Sequence, residues 1–503
     1  MKLFKQLLTI NRSIIILEII LLLIFLFWRF QLGLTRYFDV DEFAYLHWGY
    51  NVSIGEHPYV DFFYLLPPFF LYLIAGVFNI FGRTVTAIVE VRVLIFLIFL
   101  ATTLVLFLLG KKMKGGKTGL LAAVIFAFLP LPADKMLEIR PDLLATLLAL
   151  TGLYLYILAE EKTKAKYYFL SGACYSLSLG FLPKTVFFLI PPLTVLAYKS
   201  LKSVKLLRRD GGFFLLGFLL PVVFLILLIF SLGNPFFAIY SMTQVASKII
   251  NALGSRFYMR PDIFFYPNDT YYGLPGYSAP LLINLVIYIA GSVWAILKAI
   301  QSLSYKDKKK CLREFLLASC FFLNLFAFVY IYPLKHAQYL VTIAPFIAIY
   351  FADLMETITE SRLLKPFKML KLDIFVVLLT LFLLGLVGKQ IYEKKIQWNN
   401  QPTFDKVSNL LKVIPAGSPV FDLTGESIFF PDGYYFCCLP YGQFEQVLLF
   451  SLPDLEKEIQ KRKTKFVYTG WFDRLNDIPA RQAKYIKDNF TAYFPDGSLL
   501  IKK

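Results

Sequence analysis

Histidine and cysteine are scarce in this 503-residue chain, which contains three histidines and five cysteines. The histidines His47, His57 and His336 do not have the spacing of a metal-ligand motif, so the sequence predicts no bound metal. The cysteines are not evenly spaced, which excludes the disulfide framework of a small secreted domain. Cys437 and Cys438 are adjacent. We interpret them as two half-buried residues of a β-rich segment rather than as a disulfide.

Charged residues are also few, at 17% of the chain against 58% hydrophobic residues, and the net charge is +18. Lysine and arginine occur in short clusters between apolar runs, at 111–117, 199–209 and 306–313. A nucleic-acid-binding protein would carry its basic residues on a soluble face of a recognisable module, which this sequence lacks. The clusters instead follow the positive-inside rule. The sequence therefore predicts a multi-pass protein of the cell (plasma) membrane, with membrane lipids and not nucleic acid as its surroundings.

Apolar runs recur along most of the chain and predict a polytopic α-helical membrane protein with about 11 transmembrane helices. With the basic clusters in the cytoplasm, the N-terminus is cytoplasmic and the C-terminus lies outside. The run at 68–82 has 15 residues, fewer than the ~20 that a spanning helix needs, and predicts an extracytoplasmic juxtamembrane or re-entrant helix. The predicted spans are 13–30, 93–110, 118–133, 142–159, 168–182, 185–198, 213–232, 280–298, 314–332, 339–355 and 372–391.

The composition changes after residue 391. Apolar runs shorten to strand length at 418–423 and 465–472, and helical stretches of mixed charge separate them. The last segment, YFPDGSLLI, predicts a hairpin that turns at Asp496 and Gly497. We therefore predict a transmembrane catalytic domain over 1–391. A small extracytoplasmic α/β domain over 392–503 would cap an outer cavity or help to dock an acceptor.

Three carboxylates, Asp39, Asp41 and Glu42, directly follow the first span. Ionised side chains at a membrane boundary are costly unless water, a cation or a mechanism requires them. They either cap a juxtamembrane helix and balance Arg36, or belong to a site, in which case Asp41 and Tyr45 share one helical face. In the predicted topology, further charged residues fall on the same outer side of the membrane: Asp61, Arg92, Asp134, Glu138, Arg140, Asp142, Lys184, Arg256, Arg260, Lys335 and His336. Acids and bases that converge from separate loops favour a site.

Several short motifs occur in an order that resembles a known enzyme group. Asp41-Glu42, Tyr45, the segment 55–62, Pro67-Pro68 and Arg92 resemble the polyprenyl-phosphate-sugar-dependent transferases of the GT-C fold. Within that fold the pattern is most similar to the glycosyltransferase family 39 branch, which includes protein O-mannosyltransferases and lipid A aminoarabinose transferases. The resemblance continues at 140–142, around Lys184 and at 335–346, and covers about residues 35–350. One position departs from the aminoarabinose branch, which has a lysine where this chain has Leu66.

The resemblance implies transfer of a sugar from a polyprenyl-phosphate donor to an extracytoplasmic lipid, glycan or protein acceptor. It implies that Asp41 is the base, that Glu42 orients or tunes Asp41 or positions the acceptor, and that Asp142 is the acid of a second outer loop. Such a transfer needs a base for the nucleophile and positive charge for the departing phosphate. The candidates for binding the phosphate are Arg92, Arg140, Lys184, Lys335, His336 and Arg260. The candidates for positioning the acceptor are Tyr45, Tyr59 and Asp61.

Each cation also has a simpler interpretation. Arg92 and Arg140 would be interfacial side chains that reach toward water, Lys184 would mark only the end of a span, and Lys335 and His336 would lie in a water-facing loop.

Alternatives also remain for the cofactor and the function. No cofactor is predicted, and a Mg²⁺ or Mn²⁺ ion held by Asp41 and Asp142 together with the donor phosphate is the open alternative. The alternative functions are a secondary transporter and an inactive scaffold of an envelope-glycan assembly. The lack of an internal repeat counts against a transporter. The intact Asp41-Glu42 pair and the Arg-Pro-Asp stretch at 140–142 count against a scaffold.

Overall fold

The protein is predominantly α-helical, with a small β-sheet near its C-terminal end. The computed structural model describes residues 2–133, 135–203, 207–248, 278–332, 337–360, 372–397, 399–438, 448, 450–470 and 472–503. The helices are α1 Lys2–Thr35, α2 Val40–Ser53, α3 Phe69–Phe81, α4 Val85–Lys114, α5 Gly116–Phe128, α6 Pro130–Ala133, α7 Pro141–Lys162, α8 Ala165–Phe181, α9 Val186–Lys202, α10 Gly212–Ser231, α11 Pro235–Tyr240, α12 Ser278–Ser302, α13 Lys308–Phe326, α14 Ala344–Glu360, α15 Leu372–Lys395, α16 Gln401–Val413, α17 Leu455–Lys461 and α18 Ala480–Asn489. The strands are β1 Val420–Asp422, β2 Phe466–Tyr468, β3 Phe490–Ala492 and β4 Leu499–Lys502.

Seven helices of the described chain are long and apolar enough to cross a membrane: α1, α4, α7, α10, α12, α13 and α15. Each overlaps a predicted span. The other four predicted spans are also helical, but they are shorter, with 13 residues in α5 and 17 residues in α8, α9 and α14. The predicted multi-pass helical architecture is therefore confirmed.

The spanning helices pack closely where glycine replaces a larger side chain. Helix α8 lies between α7 and α10. A Cβ atom at Gly172 of α8 would lie 2.1 Å from the carbonyl oxygen of Phe214, and one at Gly217 of α10 would lie 1.9 Å from that of Phe169. Small residues let two helix backbones approach in a membrane, where the hydrophobic effect does not drive association. These two glycines thus fix the contact between α8 and α10.

Helices α2 and α3 form a separate pair outside the long helices. Helix α2 begins with a capping box, in which Asp39 Oδ1 accepts from the Asp41 amide at 3.0 Å and Glu42 Oε1 accepts from the Asp39 amide at 3.1 Å. Helix α3 has 13 residues and is therefore about 20 Å long, which is shorter than the hydrocarbon core of a bilayer. Its predicted juxtamembrane or re-entrant position agrees with this length.

The C-terminal residues form the predicted small α/β unit. Its four-stranded sheet has the order β1-β2-β4-β3, with β1 parallel to β2 and the other pairs antiparallel. Strands β3 and β4 form the predicted hairpin, in which Gly497 has a φ of 71° that suits glycine. The sheet residues Phe421, Val467 and Leu500 are buried in one apolar cluster with residues of α17 and α18.

This C-terminal unit packs on α2 and on the loop that follows it. The Phe63 amide donates to the Tyr435 carbonyl at 2.8 Å, and Arg462 Nη2 donates to the Asp61 carbonyl at 2.8 Å. Asn51 Nδ2 of α2 donates to Asp432 Oδ2 at 2.7 Å. Backbone and side-chain contacts therefore join the last hundred residues of the chain to the helix that carries Asp41.

The interpretation of Cys437 and Cys438 as unbonded residues was wrong, because a disulfide joins them. In a regular strand neighbouring side chains point to opposite faces, so two adjacent cysteines of a strand are not bonded to each other. The segment is not a strand here, and Cys438 has a φ of 70°. This turn brings both sulfur atoms to the same side of the chain, which adjacency in the sequence does not reveal.

Candidate active site

Four of the predicted site residues form one continuous chain of opposite charges. Arg140 Nη1 donates to Asp41 Oδ2, and Arg140 Nε lies 3.3 Å from Asp142 Oδ2. Lys184 Nζ donates to the other oxygen of Asp142, Oδ1. The order along this series of ion pairs is Asp41, Arg140, Asp142 and Lys184. Two acids and two cationic side chains thus meet at one place.

Each of these side chains is positioned by the end of a helix. Asp41 lies in the first turn of α2, and Asp142 lies in the first turn of α7 directly after Pro141. Arg140 is the residue before α7, and Lys184 lies in the short 3-10 turn Pro183–Thr185 between α8 and α9. The ends of α2, α7 and α8 therefore bring these four side chains together. Acids in a first turn also interact favourably with the helix dipole.

Exposure distinguishes Asp41 from the other three residues. Its side chain is 49% exposed, whereas the side chains of Arg140, Asp142 and Lys184 are 8%, 3% and 11% exposed. Asp41 is therefore the one of these four side chains that a molecule from solution can reach. The other three lie behind it as a buried layer of charge.

Burial and neighbouring charge act in opposite directions on the two cations. Burial alone lowers the pKa of Arg140, but Asp41 and Asp142 outweigh it and raise that pKa well above its usual value. For Lys184, burial lowers the pKa and the attraction to Asp142 only partly opposes it. Arg140 is thus a permanent cation, while Lys184 is a lysine that gives up its proton more easily than an exposed one.

Two tyrosines that the sequence analysis did not select complete this site. Lys184 Nζ lies 4.5 Å from the ring centre of Tyr339, which stacks on Tyr332 with 4.9 Å between ring centres. Tyr332 donates its hydroxyl to the Lys184 carbonyl at 3.2 Å. Tyr45 is buried beside the same charges and packs edge-on against Phe70. Tyr339 lies in the segment 335–346, which the sequence analysis included in the family resemblance, so attention to the aromatic residues of that segment would have found it.

Glu42 and Arg92 pair with each other below the surface. Arg92 Nη2 lies 3.1 Å and 3.2 Å from the two Glu42 oxygens, and both side chains are buried. Arg92 Nη1 donates to the Arg36 carbonyl at 2.7 Å and to the Gly33 carbonyl at 3.2 Å. Two of its nitrogens are therefore occupied by groups of the protein.

Asp39 belongs to a third cluster, with Lys135, Glu138 and Arg36. Lys135 Nζ lies 2.9 Å from Asp39 Oδ2 and 2.7 Å from Glu138 Oε1, and Arg36 Nη2 lies 2.8 Å from the same Glu138 oxygen. Burial would raise the pKa of Asp39, but Lys135 and Arg140 bring it well below its usual value. Asp39 is thus a charged cap that ties α2 to the segment before α7.

The remaining predicted site residues do not join the charged chain. Tyr59 has a φ of 69° and is buried, and its hydroxyl donates to the Leu66 carbonyl within the same loop. Asp61 Oδ2 accepts from the His57 amide at 2.7 Å and faces the C-terminal unit. Lys335, His336 and Arg260, together with Asp134 and Arg256, lie outside the described residues.

Comparison with known proteins identifies the class of this architecture. Residues 66–233, about a third of the chain, match the family model described as dolichyl-phosphate-mannose-protein mannosyltransferase. That segment contains Arg92, Arg140, Asp142 and Lys184. This chain has the GT-C fold of membrane glycosyltransferases.

Solved GT-C enzymes align with this transferase over nearly its whole length. ArnT from Cupriavidus metallidurans bound to undecaprenyl phosphate covers 97% of this chain and of its own, with 10% identity and a TM-score of 0.58. The oligosaccharyltransferase of Archaeoglobus fulgidus, tethered to an acceptor peptide containing the NVT sequon, covers 97% of this chain and 74% of its own, with 11% identity and a TM-score of 0.56. Its complex with Zn and sulfate covers 94% and 71%, with 12% identity and a TM-score of 0.55. No curated protein sequence matches this chain.

These findings confirm the predicted class, a membrane glycosyltransferase of the GT-C fold whose relatives use lipid-linked donors. At such low identity the solved structures establish the fold and leave the role of each residue open. Asp41 as the base and the cations as phosphate ligands therefore remain predictions.

A divalent cation between Asp41 and Asp142 does not fit the described residues. The carboxylate of Asp41 is paired with Arg140, and both oxygens of Asp142 are taken by Arg140 and Lys184. Mg²⁺ and Mn²⁺ bind carboxylate oxygens, so an ion that bridges the two acids would have to displace Arg140 or Lys184 from Asp142. We therefore derive no step through a metal here. Within the part of the chain that the structure describes, the one group with metal-ligand proximity is His47 with Cys437 and Cys438, whose ligand atoms lie within 4.8 Å of one another.

Proposed function

We propose that this transferase moves a sugar from a polyprenyl-phosphate donor to a hydroxyl or amine of an extracytoplasmic acceptor, with Asp41 as the base. The observation that carries this proposal is the contrast between the half-exposed Asp41 and the buried cations behind it. A base must be reachable by the acceptor, and the charge that stabilises the leaving group must be held in place.

Arg140 and Lys184 are the proposed phosphate ligands. Arg140 uses Nε and Nη1 for Asp142 and Asp41, and Nη2 makes no hydrogen bond to any described residue. Lys184 Nζ has three donors, of which one goes to Asp142. Both cations therefore keep donors for phosphate oxygens while Asp142 holds them in position. Lys335, His336 and Arg260 remain further candidates for this role.

Asp41 is placed to take the proton of the nucleophile. Its Oδ2 atom is held by Arg140, and its Oδ1 atom accepts no hydrogen bond from any described side chain or amide. In the reaction, the acceptor oxygen or nitrogen attacks the anomeric carbon while Asp41 receives the proton. The bond between that carbon and the phosphate oxygen breaks, and its electron pair stays on the phosphate beside Arg140 and Lys184. Positive charge there is worth most in the transition state, when the phosphate gains negative charge.

Glu42 and Arg92 are proposed to position rather than to contact the substrate. Glu42 Oε2 accepts from the Ile139 amide at 3.1 Å, so it links α2 to the residue before Arg140. This contact holds Asp41 and Arg140 next to each other. Tyr45 and Tyr339 would form the wall against which the sugar or the phosphate rests.

The solved neighbours suggest the donor and the orientation of the protein in the membrane. The relative ArnT binds undecaprenyl phosphate, and the archaeal oligosaccharyltransferase AglB was solved with a dolichol-phosphate and an inhibitory peptide. We propose a polyprenyl-phosphate-linked sugar for this chain, and a lipid, glycan or protein as its acceptor. The site and the C-terminal unit would then face the extracytoplasmic side, with the N-terminus in the cytoplasm.

The test is release of lipid phosphate from a panel of radiolabelled polyprenyl-phosphate sugars by the purified protein. We expect wild type to use at least one donor and Asp41→Asn to lose that activity while remaining folded. Equal activity of wild type and Asp41→Asn on every donor used would show that Asp41 is not the base. If no donor is used, solute accumulation in vesicles that depends on an ion gradient would indicate the transporter instead.

A further inference from the structure

A second cluster of chemically reactive side chains lies on α2, away from the charged chain. His47 follows Asp41 by six residues on this helix and is completely buried. Cys437 and Cys438 of the C-terminal unit are also buried, and a ligand atom of each lies within 4.8 Å of the others and of His47. The proposed transfer reaction uses none of these three residues.

A contact of its Nε2 atom holds the imidazole of His47 in one orientation. Nε2 lies 2.8 Å from Asp432 Oδ1, and Asp432 Oδ2 accepts from Asn51 Nδ2 at 2.7 Å. A carboxylate at Nε2 favours the tautomer with the proton on Nε2, which leaves a lone pair on Nδ1. Nδ1 is buried and has no hydrogen-bond partner among the described residues. A carboxylate behind a ligating histidine is the usual outer partner of a metal site.

We propose that Cys437, Cys438 and His47 form a metal site that opens when the disulfide is reduced. In the oxidised form both sulfur atoms are bonded to each other and are poor ligands. Two equivalents of a thiol reductant convert the disulfide to two cysteine thiols and are themselves oxidised to a disulfide. A divalent ion of the zinc class then displaces the two thiol protons and binds two thiolates together with His47 Nδ1. Zn²⁺ prefers nitrogen and sulfur ligands, and water would fill its fourth position.

The position of this site couples it to the helix that carries Asp41. Segment 425–438 lies directly against α2, where a Cβ atom at Gly425 would lie 3.2 Å from the Ala44 amide nitrogen and 3.3 Å from Cys438 Sγ. The ligands come from both partners of this contact. A bound ion would therefore cross-link α2 to the C-terminal unit in the reduced protein, as Asp432 does through hydrogen bonds.

Metal binding to the purified full-length protein tests the proposal. The protein is prepared in detergent either as isolated or after treatment with dithiothreitol and its anaerobic removal, and is then mixed with CoCl₂ or ZnCl₂. We expect reduction to release two thiols and to create binding for one ion per chain. The Co²⁺ form should show a thiolate-to-metal charge-transfer band in the near ultraviolet. The oxidised protein should show neither.

Matched variants assign the ligands. Cys437→Ser and Cys438→Ser should lose the band, whereas Cys311→Ser, which removes a cysteine outside the site, should keep it. His47→Gln keeps a donor for Asp432 but loses the Nδ1 lone pair, and should bind at least about tenfold more weakly. Alkylation of the two thiols in reduced wild type is a control that needs no variant.

Three results would overturn the proposal. The first is that reduced wild type binds no more metal than its alkylated form. The second is that the disulfide resists the reductant until the protein unfolds. Unchanged affinity in His47→Gln would remove the histidine from the site.

Discussion

Arg92 of α4 and Glu42 of α2 form a buried ion pair, in which one guanidinium nitrogen lies 3.1 Å and 3.2 Å from the two carboxylate oxygens. The pair connects a spanning helix to the first turn of the short helix that carries Asp41. Arg92 also holds the chain before α2 through the carbonyls of Gly33 and Arg36. The start of α2 is thus fixed from two sides, and Asp41 has a defined position without contacting Arg92.

Breaking the Glu42–Arg92 pair should therefore lower the stability of the folded protein. Glu42→Gln leaves the Arg92 charge buried without its partner, a change that costs about 3–5 kcal/mol in buried pairs. We expect a clear fall in the midpoint of thermal unfolding in detergent. A double variant that replaces both Glu42 and Arg92 should lose less stability than the sum of the losses in the two single variants. The control is Glu393→Gln, which breaks the exposed pair of Lys389 and Glu393 and should have almost no effect. Equal effects of the two changes would contradict this role.

Arg140 should tolerate no other cation. Lysine keeps the charge but cannot bind Asp41 and Asp142 at once through a planar fork. We expect Arg140→Lys to lower kcat on the order of 100-fold, as a small misplacement of reacting groups does, and Arg140→Ala to lower it further. Arg209→Lys, at a half-exposed arginine outside the site, is the matched control and should keep wild-type activity. Activity of Arg140→Lys equal to that control would rule out the fork as a requirement.

Lys184 predicts a pH dependence of donor binding. Because burial lowers its pKa, Lys184 loses its positive charge at a lower pH than an exposed lysine. The donor phosphate then meets one cation fewer, so the donor KM of wild type should rise toward alkaline pH. Lys184→Arg stays protonated and should keep the KM constant over that range. Lys199→Arg, remote from the site, should retain the wild-type profile, and a KM of wild type that does not change with pH would refute the phosphate role.

Glu56 predicts a pH dependence of stability. It lies beside Asp61, Asp432, Arg462 and His47, and burial, reinforced by Asp432, raises its pKa from 4.5 to about 8. Between these values the folded protein binds a proton that the unfolded chain has released, so the free energy of unfolding falls as the pH rises. We expect Glu56→Gln to remove this decline and to raise the unfolding midpoint at pH 8 by roughly a few degrees. Glu456→Gln, at an exposed position, should leave the decline in place, and a decline that persists in Glu56→Gln would assign it to another group.

Local patterns in the sequence were sufficient to predict the elements. Spanning helices follow from runs of apolar residues, which is a property of each segment alone. The C-terminal hairpin likewise follows from Asp496 and Gly497 between two short apolar runs. The side of the membrane assigned to each loop put Asp41, Arg140, Asp142 and Lys184 among a longer list of charged residues, but it did not distinguish these four from the others.

The pairing of side chains depends on packing that no single segment encodes. Arg92 pairs with Glu42, and the Tyr59 hydroxyl donates within its own loop, although both residues stand in the motifs on which the sequence resemblance was based. Asp39, two residues before Asp41, is a helix cap held by Lys135. The link between His47 and the two cysteines was equally invisible, because it joins residues from opposite ends of the chain.

The contact of Asp432 with His47 and Asn51 joins positions 385 and 381 residues apart. During biosynthesis, α2 therefore emerges from the ribosome long before the carboxylate that it needs. Until then the side chains of His47 and Asn51 lack the carboxylate that they contact in the folded protein. The contact between α2 and the C-terminal unit therefore forms late in synthesis, after all the spanning helices up to α15 have been made.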